Sequence, residues 1–282
     1  MLADPRALRE LLRRHRVRAA TSLGQRFLVD RAALAAIVDA AEISADDDVL
    51  EVGPGPGVLT AELAARARSV TAVELDARMV AVLGDLLGMR QNVRVVHADA
   101  LAVDLFAVGP RPPTRIVANL PYQITTPLLE RFLVDPRRPP LVVVLVQLQV
   151  ARRIAASPAA GRERGFLSVL VQSFAEPRLV RRVPARSFRP QPRVDSAVVS
   201  LRTRERPFFA PLAQEPFLRL VGDVFRHRRK QLRSALGHEA GMARDRATAV
   251  LKAAGIAPER RPEQLSLAEW VALARATGVP EK

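Results

Sequence analysis

A chain of 282 residues, 49% of them apolar and 26% charged, has room for one full-sized core and a smaller second one, which excludes disordered and fibrous classes. The lack of cysteine excludes disulfides, thiolate metal sites and cysteine nucleophiles, and four histidines leave little for a metal centre, so no metal is expected. A formal charge of +15 points to a polyanionic partner. No apolar run approaches the roughly 20 residues of a spanning helix, and no secretory signal precedes the first basic stretch, so a cytoplasmic protein with no membrane partner is expected; a monomer is expected as well.

Asp4-Pro5 reads as an N-cap and first-turn proline opening a basic helix over 5–18, with Leu8, Leu11 and Leu12 on one face and Arg6, Arg9, Arg13 and Arg14 on the other. A loop through Gly24 leads to an alanine-rich helix near 30–41. From there the pattern alternates. Strands at 48–52, 69–75, 93–98, 114–119 and 141–147 are interleaved with helices at 57–67, 76–87 and 125–133. Two further strands, 178–183 and 197–203, would finish the sheet. After Arg206-Pro207 every signal is helical, with helices at 212–236, 243–254 and 266–277. Short apolar strands separated by amphipathic helices predict an α/β fold, a parallel sheet with helices on both faces, followed by a small all-helical C-terminal domain. The predicted division is 1–204 and 205–282. Charge follows its own pattern. Residues 32–151 carry 10 basic against 14 acidic side chains, and residues 152–204 carry 12 against 3, so a neutral-to-acidic segment is flanked by basic ones.

The acidic segment also holds the small-molecule signals. Glu51-Val52-Gly53-Pro54-Gly55-Pro56-Gly57 falls where a strand ends and a helix begins, a place where glycines let a ligand approach the backbone. Glu74 ends the next strand 21 residues after Gly53, where an acid can accept both hydroxyls of a ribose. Asp99 ends the third strand, placed to accept from an adenine amine. A nicotinamide oxidoreductase would share these features. The G-x-G-x-G spacing, in place of G-x-G-x-x-G, speaks against it.

The fourth strand ends in Asn119-Leu120-Pro121-Tyr122, which resembles the Asp/Asn-Pro-Pro-Tyr motif of amino-group methyltransferases. An adenine N6 is a poor nucleophile because its lone pair is delocalised into the ring. Two acceptors on its hydrogens, the Asn119 side-chain oxygen and a neighbouring carbonyl such as that of Leu120, favour a pyramidal nitrogen. Pro121 stiffens the turn, and Tyr122 offers a face on which an extruded base can stack.

With these residues the chain resembles the ribosomal RNA adenine dimethylase family over essentially its whole length, through Leu23-Gly24-Gln25-Arg26-Phe27-Leu28, the Gly53 turn, Val73-Glu74-Leu75-Asp76, Asp99-Ala100-Leu101, Asn119 to Tyr122, Leu167-Ser168-Val169 and Phe188-Arg189-Pro190-Gln191-Pro192-Arg193. The resemblance implies a Rossmann-like class I methyltransferase sheet and S-adenosyl-L-methionine as cofactor. It implies cofactor contacts at Leu28, Gly53, Glu74, Asp99 and Asn119, with Gly55 in the same turn, and makes Phe188 a second aromatic wall opposite Tyr122. It further implies two adjacent, dimethylated adenosines near the 3′ end of 16S RNA in an assembling small subunit. One branch of the family methylates 23S RNA and confers macrolide resistance, and the C-terminal third separates the two. Phe225 to Leu236 reads as a helix with Phe225, Leu232 and Leu236 inward and Arg226, Arg228, Arg229, Lys230 and Arg233 outward towards RNA phosphates, and Arg261 to Ser266 also resembles the small-subunit branch. A different class of function, a binding protein that checks ribosome assembly, stays open beside the enzyme.

Three positions depart from the family. Arg26 stands where Asn is usual, and its guanidinium is expected to pair with the methionine carboxylate of the cofactor. Gln147-Leu148-Gln149 replaces Gln-Lys-Glu, and Arg164-Gly165 replaces Tyr-Gly.

Overall fold

The computed structural model describes residues 4–20, 24–239 and 242–282, so Met1 to Ala3 and Leu23, the first residue of the Leu23 to Leu28 motif, lie outside the described residues. The first helix, α1 (Pro5–Arg14), is capped by the Asp4 carboxylate on the Arg6 and Ala7 amides. It stops four residues short of the predicted 18. Arg16 takes a left-handed φ of 53°, its N–H bonds to the Arg13 carbonyl, and the Val17 N–H reaches back to Leu12, which is a Schellman closure with arginine in the usual glycine place.

Next come β1 (Phe27–Leu28), α2 (Arg31–Ala40), β2 (Asp48–Val52), α3 (Val58–Ala64), β3 (Ser69–Glu74), α4 (Ala77–Leu87), β4 (Val93–His97), β5 (Arg115–Asn119), α5 (Thr125–Val134) and β6 (Leu141–Gln147). Apart from β1, which falls in the stretch read as a loop, these agree with the predicted elements to within a few residues at each end. Two helices follow that periodicity did not single out, α6 (Leu148–Ala155) and α7 (Phe166–Phe174). Then come β7 (Ala175–Val183), β8 (Phe188–Arg189) and β9 (Ser196–Thr203). The seven-stranded sheet has the order β4-β3-β2-β5-β6-β9-β7. Its first five strands are mutually parallel, and β9 runs antiparallel to β6. The central β2, β5 and β6 are buried almost throughout, and β6 accordingly reads as a near-continuous apolar run. Residues of α2 and α3 pack with them in one hydrophobic cluster. Since the chain steps outward from β2 to β4 and then returns to β5, the strand order reverses between β2 and β5. Open α/β sheets bind ligands outside the carboxyl ends at such a point.

The last third forms α8 (Gln214–Arg226), α9 (Leu232–Glu239), α10 (Arg244–Ala253) and α11 (Leu267–Ala276). The predicted single helix over 212–236 is therefore two. Tertiary bonds take over at the break, where the Leu232 N–H goes to the Arg260 carbonyl and the Arg233 N–H to that of Pro258. Phe225, Leu232 and Leu236 are all buried, as the pattern predicts.

The chain divides into two compact units, residues 1–151 with 177–203 and residues 152–176 with 204–282. This differs from the 1–204 and 205–282 division in one segment, 152–176, and a buried side chain supplies the reason. Arg164 is 1% exposed and donates to the carbonyls of Ala156 (2.6 Å) and Leu265 (3.2 Å) and to the Gln172 side-chain oxygen (2.8 Å), tying the segment to the stretch before α11. Phe166 packs over Gly222 of α8 in the same unit.

Candidate active site

A cavity of about 400 Å³ opens at the carboxyl ends of β2, β3 and β5 and is roofed by residues 24–28. Its size lies within the range of small-molecule sites. After β2 the backbone turns through glycines with positive φ, and at Gly55 (54°) the reason is visible: a Cβ would stand 3.2 Å from the Phe27 ring. The freed Gly55 N–H donates to Glu74 Oε2 (3.0 Å), and the other oxygen of Glu74 accepts from the Asp76 N–H (2.9 Å). Glu74 is thus held at the strand end by two backbone donors, each of its oxygens keeping a lone pair for a ligand.

Burial governs the acids around this turn. Glu51, at 1% exposure on β2, has its carboxyl pushed up to about 8, and its Oε2 has no hydrogen-bond partner among the described residues. Burial also raises Glu74. Asp76 goes the other way, to about 2, because the Arg78 guanidinium and then the Gln25 amide hold its carboxylate. Asp99 is exposed, with Oδ1 accepting the Leu101 N–H (2.8 Å) and Oδ2 in no hydrogen bond among the described residues.

The turn after β5 is fixed at each residue. Asn119 Nδ2 donates to the Arg26 carbonyl (3.1 Å), which leaves Oδ1 as the accepting atom of that amide. The Leu120 N–H bonds to the Leu145 carbonyl, and the Pro121 carbonyl takes the Ile124 N–H and the Thr125 hydroxyl. Among the described residues the Leu120 carbonyl receives no hydrogen bond. The hydroxyl of Tyr122, 2.8 Å from buried Ser196 Oγ, anchors a half-buried ring, and burial raises its phenol.

Arg26, Leu28, Gly53, Gly55, Glu74, Asp99, Asn119, Leu120, Pro121 and Tyr122 all line this one cavity. Phe188 does not. It is 0% exposed in the hydrophobic cluster of α2, α3 and the sheet, because β8 pairs with β1 in the register Leu28↔Phe188 and Phe27↔Arg189. The second wall assigned to Phe188 is therefore corrected to a core position. The aromatic ring that lines the cavity besides Tyr122 is Phe27. Sequence reasoning quoted Phe27 within a motif without giving it a role, and its signal was only that motif, since a two-residue strand has no period. Gln25, Glu51 and Gln123 also line the cavity without having been assigned.

The five C-terminal cations belong to the second unit. Arg226 (3.0 Å from Asp223), Arg229 and Lys230 are exposed. Arg228 and Arg233 are partly buried, with Arg228 donating to the Arg162 carbonyl (2.7 Å) and Arg233 lying 3.8 Å from Glu259.

The sequence profile described as ribosomal RNA adenine dimethylase matches residues 16–277. The chain is similar to ribosomal RNA small subunit methyltransferase A of Pelotomaculum thermopropionicum, at 42% identity over 97% of this chain and 96% of that one, and of Geobacillus thermodenitrificans, at 40% over 98% and 96%. Among solved structures, a dimethyladenosine transferase from Plasmodium falciparum shares the fold, with a TM-score of 0.76 and 24% identity over 90% of this chain and 98% of that one. The 23S rRNA methyltransferase ErmE aligns with a TM-score of 0.64 and 30% identity over 89% and 98%.

Proposed function

Because the chain belongs to the ribosomal RNA adenine dimethylase family, we propose that it transfers methyl groups from S-adenosylmethionine to N6 of two adjacent adenosines near the 3′ end of 16S RNA, giving N6,N6-dimethyladenosines as the small subunit assembles in the cytoplasm. The observation that carries this reading is the orientation of Asn119. With Nδ2 committed to the Arg26 carbonyl, Oδ1 and the bare Leu120 carbonyl are two acceptors on one turn of the cavity wall that Tyr122 also lines. Held by both, an adenine amine keeps its hydrogens engaged and its lone pair free. Preorganised groups of this kind carry the rate of reactions that need no general base.

The residues present fit the cofactor. The Gly53 to Gly57 turn leaves backbone room, Glu74 offers two fixed oxygens to ribose hydroxyls, Asp99 offers Oδ2 to an adenine amine, and Glu51 Oε2 is a buried oxygen without a partner in the cavity wall. When bound, S-adenosylmethionine supplies an electrophilic methyl on a sulfonium. Arg26 would hold its methionine carboxylate, and calorimetry in which Arg26→Asn binds as tightly as the parent would remove that role. Arg226, Arg228, Arg229, Lys230 and Arg233 would contact RNA phosphates from the helical second unit, and the protein would act as a monomer. Identity of 40–42% to small-subunit relatives against 30% to the 23S methyltransferase favours the small-subunit substrate.

The test is to incubate under-methylated small subunits with methyl-labelled cofactor, digest the RNA and resolve the nucleosides. Labelled dimethyladenosine is expected. Subunits that bind without label, despite measurable cofactor binding, would instead indicate an assembly-checkpoint protein.

A further inference from the structure

The stretch from β7 to the loop after β8 contains Arg178, Arg181, Arg182, Arg186, Arg189 and Arg193, with no acid between Glu176 and Asp195. All six arginines are exposed. Some arginines of the first unit, Arg66, Arg68, Arg78, Arg115, Arg137 and Arg202, each sit against a carboxylate. Here the nearby carboxylates are already committed. Asp195 accepts the Arg182 guanidinium twice (2.9 and 2.6 Å) and the Ala185 N–H (2.9 Å). Asp30 accepts the Ser187 hydroxyl (2.6 Å) and the Ala33 N–H (3.0 Å). Among the described residues, no carboxylate lies within ion-pair distance of Arg178, Arg181, Arg186, Arg189 or Arg193.

An edge strand gains protection against pairing with another chain from charges on it, and β7 is the last strand of the sheet. That accounts for Arg178 and Arg181. It does not account for Arg186, Arg189 and Arg193, which lie beyond the strand. These three sit around the β1–β8 ladder, Arg186 just before β8, Arg189 within it and Arg193 after it; Arg189 is the direct partner of Phe27, so its Cα stands within about 5.5 Å of that of a residue lining the cavity.

Resting on the reading that the cavity takes an adenine of RNA, we infer that the β7 edge, β8 and the turns on either side of β8 form a second phosphate-binding track, on the catalytic unit itself, which receives the RNA strand flanking the extruded base. Arginine forks suit phosphate oxygens, and a track next to the cavity positions the strand without reading its sequence.

The test measures binding of transcribed small-subunit ribosomal RNA to the full chain over a series of salt concentrations, for the parent, for R178Q/R181Q/R186Q/R193Q, and for the same four positions changed to lysine. Each lost phosphate contact lowers the slope of log affinity against log salt by about 1. The expected result is a slope reduced by about 3 or more in the glutamine variant and kept by the lysine variant, with cofactor binding by calorimetry unchanged in both. An unchanged slope in the glutamine variant overturns the track. So does loss of its binding to phosphatidylserine vesicles with the RNA slope intact, which would make the surface a membrane contact. Should the glutamine variant fail to bind cofactor, R193Q and R186Q alone are measured, and slopes equal to the parent's overturn the track. A parent that binds no RNA overturns this inference and the proposed substrate together, whereas a slope lost in R228Q/R229Q/K230Q but kept in the edge variant overturns the track alone.

Discussion

In the first compact unit, the charged groups that folding buries around the cavity are carboxyls. Glu51 and Glu74 sit on the walls, raised by burial, and each faces a space that a ligand can enter. Among the described residues of the second unit the most deeply buried charge is a guanidinium, Arg164, which donates to two carbonyls and an amide oxygen of its own unit. Burial of a charge is costly in both places. The difference lies in what satisfies it: a group left partly unsatisfied at an opening is available to a ligand, and a group satisfied internally is a clamp. Changing each should therefore disturb different observables.

The largest effect is expected at the cavity. Asn119→Ala removes one of two acceptors on the amine and should lower methyl transfer by about 10²–10³-fold while subunit binding persists, as read by labelled nucleosides and sedimentation. Transfer within tenfold of the parent would take Asn119 out of the proposed role. Arg164→Ala should act on folding instead, at a cost of about 3 kcal/mol from orphaned buried acceptors, measured as a lowered urea midpoint. A midpoint equal to the parent's would show that Arg164 is no clamp.

Glu51 gives the comparison a pH axis. Its carboxyl titrates at about 8 in the folded chain against 4.5 in the unfolded chain. Between those values the unfolded state binds fewer protons than the folded one, so stability contributed by this group falls as pH rises and the loss is complete above about 8. Glu51→Gln removes the difference, so its urea midpoint relative to the parent should be higher at pH 8 than at pH 5, and equal gains at both would contradict the buried assignment. The smallest change concerns Tyr122. Tyr122→Phe keeps the ring and loses the bond to Ser196, costing about 1 kcal/mol with transfer preserved within a few-fold, whereas Tyr122→Ala should lose transfer. Equal loss in both would mean that the hydroxyl, rather than the face, does the work.

The corrections to the sequence reading share a cause. Phe188 lies between prolines in a polar, basic stretch, and nothing in that context marks it as core. A two-residue pairing with Leu28 turns it inward, and neither strand is long enough to show alternation. The same ladder brings Phe27 to the cavity. Likewise, the break between α8 and α9 follows from carbonyls of Pro258 and Arg260 that are distant in sequence.

The sequence by itself determined the alternating elements of the parallel sheet, since strands buried on both faces are mostly apolar, and it determined that Gly53, Glu74, Asp99 and Asn119 lie at or just beyond the ends of successive strands, because chemistry at strand ends follows a local motif. Only the tertiary structure decided which aromatic lines the cavity, that Arg164 joins 152–176 to the second unit, and which way the Asn119 amide points. Each of these depends on a partner far along the chain, Leu28 for Phe188, Leu265 for Arg164 and Arg26 for Asn119, and such pairings leave no periodic trace in either segment alone.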